Sequence, residues 1–284
     1  MTLHAGQTQV SPRIGVFDSG VGGLSILAAV KSQVPQAQFT YAADNAHFPY
    51  GTRSREEVIK LTAATVRSML QRAHLDVVVI ACNTASTAAL TALREQFSVP
   101  FVGVVPAVKP AAATTKTGCI GILATPTTIA GAYTRELISK HAAHTAVVCV
   151  GSRRLVELAE RKLRGQSVAL DDVRAEIMPL FNCAGTASGP SQKVDAVVLG
   201  CTHFPLLIDE LKAAAPWPVA WIDSGAPVAA RVTHVLGATA TTQERATEAS
   251  DHLFLATSLA DTEALLPALL PYGFTNIEHL PLRA

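Results

Sequence analysis

Short apolar runs alternate with longer amphipathic stretches along this chain, the pattern of strands and helices taken in turn. Ile14–Asp18 reads as a buried strand and Leu24–Ser32 as the helix behind it. Phe39–Ala43 is a second strand. Arg55–Arg72 carries Val58, Leu61, Thr65, Met69 and Leu70 at helical spacing. Val77–Ala81 is a third strand, followed by an Ala-rich helix over Ala85–Gln96. The cycle then restarts, with a strand at Ile120–Leu123, a helix over Thr128–Lys140 and a strand at Ala146–Val150. Helices fit Leu155–Leu163 and Val168–Asn182. A strand at Ala196–Leu199 leads into a helix over Phe204–Ala214. The tail alternates as well, through Val219–Ile222, Ala226–Leu236, Leu253–Ala256, Ser258–Leu270 and Ile277–Pro281. This alternation predicts an α/β fold with mainly parallel sheets flanked by helices.

Two internal echoes divide the pattern into halves. Ile14-Gly-Val-Phe-Asp18-Ser19 returns as Ile120-Gly-Ile-Leu-Ala124-Thr125, and Asp76-Val-Val-Val-Ile-Ala-Cys82 returns as Asp195-Ala-Val-Val-Leu-Gly-Cys201. Buried parallel strands share Val and Ile runs, but that does not explain a cysteine at one offset from an Asp in both. The echoes predict two pseudo-symmetric lobes. Boundaries are expected in the Pro-bearing stretches Pro100–Pro110 and Pro216–Pro218. Residues 1–106 with 219–284 then make a discontinuous first lobe, and 107–218 the second. A site in the cleft between them would draw on both halves.

Composition narrows the class. Hydrophobic residues make up 49% of the 284 and charged residues 16%, so a large core is expected and disorder is not. The formal net charge is +1 with no basic block, which argues against nucleic acid or anionic membrane as a partner. The polar start Met1–Arg13 reads as no signal peptide, and no apolar run is long enough to span a bilayer, so a cytosolic protein is expected. The five cysteines, Cys82, Cys119, Cys149, Cys183 and Cys201, are odd in number and form no C-x-x-C, which suits reduced thiols.

Chemistry concentrates at the strand ends. Cys82, in Ala81-Cys82-Asn83-Thr84, sits where a strand gives way to a helix, the ligand-binding edge of a parallel sheet. The free N–H groups of that helix favour an anion and would lower a thiol pKa. Cys201 holds the equivalent place in Gly200-Cys201-Thr202-His203, with an imidazole two residues on. The other three cysteines suit ordinary core positions. The turn Asp18-Ser19-Gly20-Val21-Gly22-Gly23 lets backbone approach a ligand closely. It is neither a P-loop nor a full dinucleotide fingerprint. Asp18, a carboxylate closing an apolar strand, needs a partner such as an ammonium or a neighbouring acid–base group. Tyr41–Gly51 reads as a loop over the cleft.

Taken together, Asp18-Ser19-Gly20-x-Gly22-Gly23-Leu24, Pro49-Tyr50-Gly51, Cys82-Asn83-Thr84-Ala85-Ser86 and Gly200-Cys201-Thr202-His203-Phe204-Pro205 resemble the glutamate racemase family, in family order. Related aspartate racemases typically show an acidic residue where His203 stands. The resemblance implies glutamate held between the two cysteines, with no metal or pyridoxal phosphate, and D-glutamate supplied for peptidoglycan. It implies substrate contacts from Asp18, Ser19, Tyr50, Gly51, Asn83, Thr84, Thr202 and His203. Thr125 and Thr128 join them through a family Gly-Thr-x-x-Thr turn in which Ala124 replaces the Gly. Glu157 matches a family glutamate near the second cysteine, although Gly151-Ser152-Arg153-Arg154 replaces the usual Pro-rich approach. The expected partner is a small molecule only, and the choice between monomer and homodimer stays open.

Racemisation breaks and remakes a C–H bond on opposite faces of one carbon, which two thiols on facing lobes can do directly. The resemblance assigns Cys82 to the D-substrate and Cys201 to the L-substrate. Asp18 aligns with Ala124 and Thr84 with His203, so the assistants are expected to be asymmetric: Asp18 beside Cys82, His203 with Glu157 beside Cys201. Three other readings compete: a racemase for aspartate or another small acid, a Cys201–His203 nucleophilic hydrolase, and a binding module without catalysis.

Overall fold

The computed structural model describes residues 11–181, 193–239 and 252–282, and Cys183 and Asn182 lie outside them. The first half runs β1 (Arg13–Asp18), α1 (Leu24–Gln33), β2 (Gln38–Ala43), α2 (Arg55–Arg72), β3 (Val77–Ile80), α3 (Asn83–Gln96) and β4 (Phe101–Gly103). The second runs α4 (Val108–Thr114), β5 (Cys119–Ala124), α5 (Pro126–Ala130), α6 (Ala132–His141), β6 (Ala146–Gly151), α7 (Arg154–Leu163), α8 (Leu170–Phe181), β7 (Ala196–Leu199), α9 (Ile208–Ala214) and β8 (Ala220–Ile222). The chain closes with α10 (Gly225–Thr239), β9 (Leu253–Ala256), α11 (Leu266–Leu269) and β10 (Glu278–His279).

Two all-parallel sheets result. One has the order β10-β9-β2-β1-β3-β4 and the other β6-β5-β7-β8. The core order β2-β1-β3-β4 is repeated as β6-β5-β7-β8, so the sequence echoes are structural ones. Registers repeat too: Ile14 faces Val77 in the first sheet and Ile120 faces Ala196 in the second. The aspartates that open the echoed segments do matching work. Asp76 Oδ2 accepts the Arg13 N–H at 2.8 Å, and Asp195 Oδ2 accepts the Lys116 N–H at 2.7 Å. Each ties the entry of its lobe's central strand to the strand that will carry a cysteine.

Both faces of the central strands of each sheet are covered, which is why those strands read as continuous apolar runs; edge strand β6 is not, and Cys149, expected in the core, is exposed on it. On one face of the first sheet Ile14, Val16, Val77 and Val79 pack with Leu24 and Leu27 of α1 and Val228 and Val232 of α10. On the other, Phe17, Val78 and Ile80 meet Val66 and Met69 of α2 and Ala89 and Leu93 of α3. In the second sheet Leu123 and Val197 meet α7 and α8, while Ile120, Ile122 and Val198 meet α4. Local signals set several helix starts. Ser54 and Glu57 form a reciprocal capping box at α2, and the Ser152 hydroxyl accepts the Leu155 N–H at 3.0 Å at α7.

The structure corrects four element boundaries. The helix expected over Thr128–Lys140 breaks at Gly131, whose extended backbone (φ −65°, ψ 141°) separates α5 from α6. The helix expected over Phe204–Ala214 begins as a 3-10 turn at Phe204–Leu207 before α9. Ser258–Leu270 is not one helix. Asp261 is left-handed (φ 56°), and Pro267 and Pro271 lack the N–H that would continue a helix, so only α11 and short turns form. Val219 does not begin the return to the first lobe: β8 pairs with β7, so the chain leaves the second sheet after Ile222. At the other crossing, β4 joins the first sheet and α4 packs in the second lobe, so the chain passes between them within the Pro100–Pro110 stretch. Among the described residues no helix is long and apolar enough to cross a membrane.

Candidate active site

The carboxyl ends of β1, β3 and β7 deliver Asp18, Cys82 and Cys201 to one place where the two lobes meet. The lobes touch there through named contacts. The Ser25 hydroxyl donates to the Thr202 carbonyl at 2.8 Å, and the Val21 N–H donates to Glu160 Oε1 at 3.3 Å. The Phe48 ring lies 5.8 Å from the His203 ring. The Thr127 hydroxyl donates to the Gly51 carbonyl, which brings the Pro49-Tyr50-Gly51 turn against the Thr125–Thr128 turn. Thr125 itself caps α5, accepting the Thr128 N–H at 3.3 Å with the two hydroxyls 2.9 Å apart.

Both cysteines are buried, each 7% exposed. Cys82 caps α3 and its sulfur lies 3.6 Å from the Ser19 hydroxyl. Behind Ser19 stands Asp18, fully buried, whose Oδ1 accepts the Ser19 N–H at 2.7 Å and Oδ2 the Gly23 N–H at 2.5 Å. Burial raises the Asp18 carboxyl above its ordinary range, against the lowering pull of His203 and the two N–H donors. The Cys82 thiol is pushed up to about 12, first by burial and then by Asp18. The helix N-terminus does act on it, through the Ala85 N–H, but does not outweigh desolvation. The lowered thiol pKa expected from the helix start is therefore corrected: burial wins here.

Cys201 has a different assistant. Its sulfur lies 3.8 Å from His203 Nδ1, and His203 Nε2 lies 2.8 Å from Glu160 Oε1. Burial alone would lower the His203 pKa, but its contacts with Cys201 and Glu160 hold it well above the ordinary value. Burial likewise opposes ionisation of Glu160, yet His203 and Arg164 bring it down to about 2. The carboxylate thus favours a proton on the imidazole it faces.

This places Glu160, not Glu157, beside the second cysteine. Glu157 lies on the solvent side of α7, its side chain 60% exposed and paired with Arg154 at 3.1 Å. Three residues later Glu160 shares the face of Val156 and Leu163, which turns inward. A glutamate on the apolar face of an amphipathic helix is the signal that finds it.

The remaining residues gather around these groups. Ser19, Asn83, Thr128, Thr202 and His203 are buried, and Thr84, Thr125 and Gly51 are partly so. Asn83 Oδ1 is buried and accepts no hydrogen bond, so an incoming N–H donor would relieve its desolvation. The Tyr50 side chain is committed within its own lobe. Its phenol donates to buried Asp44 at 2.5 Å, and Asp44 also meets His47 Nδ1 and the Thr257 hydroxyl, each at 2.8 Å. The Tyr50-Gly51 turn thus faces the other lobe with backbone.

The glycines of the first turn serve the lobe contact. A Cβ at Gly22 would run into the His203 ring, and one at Gly20 would stand 2.9 Å from Glu160 Oε1 and from the Phe48 ring. Neither has positive φ. Gly22→Ala is expected to displace His203, with a stability cost of about 1–3 kcal/mol and a fall in turnover. Gly237→Ala, with nothing within 4 Å of the new Cβ, is the control and is expected to stabilise slightly. Thermal melts and steady-state rates on both variants check this.

Known proteins share this sequence pattern and fold. The family model described as Asp/Glu/Hydantoin racemase matches residues 22–259. A glutamate racemase of Klebsiella pneumoniae is 44% identical over 280 residues, covering 99% of this chain and 96% of that protein. The structure of Escherichia coli glutamate racemase, in complex with L-glutamate and the activator UDP-MurNAc-Ala, matches with a TM-score of 0.89 and 40% identity, covering 97% of this chain and 100% of that one. Glutamate racemase isoform RacE1 of Bacillus anthracis matches with a TM-score of 0.77 and 28% identity, over 96% and 97%. With 238 of its residues under one family model and near-full-length relatives above 40% identity, this chain belongs to the Asp/Glu/Hydantoin racemase family.

Proposed function

We propose that this protein is a cofactor-independent isomerase that interconverts L- and D-glutamate in the cytosol and supplies D-glutamate for peptidoglycan. The observation that carries the reading is the placement of two buried cysteines at equivalent strand ends of two pseudo-symmetric lobes, each with its own polar assistants. The choice of glutamate follows the near-full-length relatives that bear that name.

In this mechanism the thiolate of one cysteine removes the Cα proton. The C–H electron pair stays on Cα as a carbanion-like intermediate, and the thiol of the other cysteine delivers its proton to the opposite face. Reversal exchanges the roles. The Cα proton is a very weak acid, so base strength matters. A Cys82 thiol raised to about 12 by burial is ionised less often but is a stronger base when it is. A substrate ammonium beside Asp18 and Asn83 would favour the thiolate. Backbone donors around the cleft would stabilise charge on the substrate carboxylate as it develops. We assign Asp18 and Ser19 to the Cys82 half, and His203 with Glu160 to the Cys201 half.

One observation favours a second reading. Cys201, His203 and Glu160 stand in the order of a nucleophile, its base and an orienting acid. That reading leaves Cys82, Ser19 and Asp18 without a task. Incubation with L-glutamate in deuterated water separates the two. The racemase reading expects D-glutamate to appear with deuterium at Cα, and L-aspartate to be a poor substrate. Inversion without deuterium, or no inversion at all, contradicts it. Exhaustive dialysis against chelator is expected to leave the rate unchanged; a loss that added metal or pyridoxal phosphate restores would sink the cofactor-independent mechanism.

A further inference from the structure

Glu160 divides its two carboxylate oxygens between two tasks. Oε1 takes the groups of the cleft, His203 Nε2 at 2.8 Å and the Val21 N–H at 3.3 Å. Oε2 is held from behind. Arg164, just past the end of α7, donates from Nη1 to Oε2 at 2.5 Å and to the Glu160 backbone carbonyl at 3.0 Å. The guanidinium is thus fixed to the backbone of the residue whose side chain it holds. Among the described residues, Glu160 is the one assistant of either cysteine that Arg164 touches. Its side chain is 27% exposed and borders a surface cavity of about 660 Å³ with Gln166, Leu259, Asp261 and Glu263.

We propose that Arg164 is a positioning residue for the Cys201 half of the reaction: it clamps the Glu160 carboxylate so that Oε1 stays on His203. The proposal rests on the two-cysteine reading. A glutamate side chain has three rotatable bonds, holding it in one orientation costs entropy, and the contacts of Oε1 to His203 and the Val21 N–H fix only one of its two oxygens. The ion pair with Arg164 supplies the second fixed point. Without it, Glu160 can turn toward the cavity and solvent, and His203 loses the contact that orients its ring and holds its proton. Among the described residues Arg164 meets the Asp18–Ser19–Cys82 half only through Glu160, which acts on Asp18 by charge and on the Val21 N–H by contact, so the larger consequence falls on the Cys201 half.

The test uses the full-length protein with the L- and D-forms of a glutamate analogue carrying chloride at Cβ. A cysteine removes the Cα proton, the C–H electrons form the Cα–Cβ double bond and chloride leaves. The enamine tautomerises and hydrolyses to a 2-oxo acid and ammonia. This reaction is irreversible, so the two enantiomers report the two halves separately. Arg164→Met is expected to slow elimination from the enantiomer served by Cys201 by roughly 10–100-fold, the scale of a lost hydrogen bond to a charged group. Elimination from the other enantiomer should stay within about twofold, as for substitutions away from its contacts. Arg164→Lys, which keeps the charge, should recover most of the loss. The ratio of the two rates is internal to each preparation, so partial misfolding cannot imitate the split. Equal losses for both enantiomers, an unchanged ratio, or no recovery in Arg164→Lys would overturn the proposal while normal wild-type elimination leaves the two-cysteine reading standing. Absence of elimination from either enantiomer in the wild type overturns both.

Discussion

Cys82→Ala and Cys201→Ala are each expected to reduce racemisation by roughly 10²–10⁴-fold, the range over which a positioned acid or base acts. The reason is geometric. Each sulfur stands at the end of a different sheet, with its own assistants. Removing one leaves a face of Cα with nothing to take or deliver a proton. The two losses are expected to be comparable, because one turnover uses both groups. Folding should survive: each cysteine is small, buried and free of disulfide partners, and Ala keeps most of its packing. Circular dichroism alongside the rates checks this. A variant that keeps wild-type racemisation would remove that cysteine from the mechanism.

The second large effect separates two glutamates on one helix. Glu160→Gln is expected to lower turnover by roughly 10²-fold, because His203 loses its anionic partner while keeping its place. Glu157→Gln should leave the rate within about twofold, since its side chain is 60% exposed and bonded only to Arg154. Acid stability supplies an independent readout. The folded pKa of Glu160 lies at about 2, below its unfolded value, so the stability it contributes is complete above the ordinary glutamate range and is lost as pH falls toward 2. His203 has the opposite sign: its raised pKa stabilises below the unfolded histidine value and fades as pH rises through the folded one. Glu160→Gln should therefore flatten the acid limb of the stability profile, and Glu157→Gln should not. Equal effects of the two substitutions would reject the assignment to Glu160.

Much of the site was legible in the sequence because it is written in local patterns. The Asp–strand–small residue–Cys segments repeat, and their strands pair in the same register in both sheets, so the two cysteines and the α/β class could be read together. What could not be read depends on residues far apart in the chain. Gly20 and Gly22 looked like room for a ligand, but the groups that need the room are His203 and Glu160 of the second lobe and Phe48 of the first. The Cys82 pKa follows from burial and from the neighbouring Asp18 rather than from the helix that begins beside it. The commitment of the Tyr50 hydroxyl to Asp44 depends on the loop's own fold and was not read from the sequence. Glu157 and Glu160 lie three residues apart among Arg and Lys, and only the position of Val156 and Leu163 on α7 tells them apart. The boundary at Val219 failed because a three-residue edge strand, β8, carries too little pattern to assign to a lobe.

The measurement that bears most directly on one cysteine for each face is elimination from both enantiomers of the chlorinated analogue in both cysteine variants. Proton removal alone suffices for that reaction, so half of the chemistry survives when one cysteine is lost. With Cys82 serving the D-form, Cys201→Ala should eliminate from the D-analogue and not the L-analogue, and Cys82→Ala should show the reverse. A preference that fails to swap, or one cysteine required for both enantiomers while the other is dispensable, would contradict the two-base mechanism.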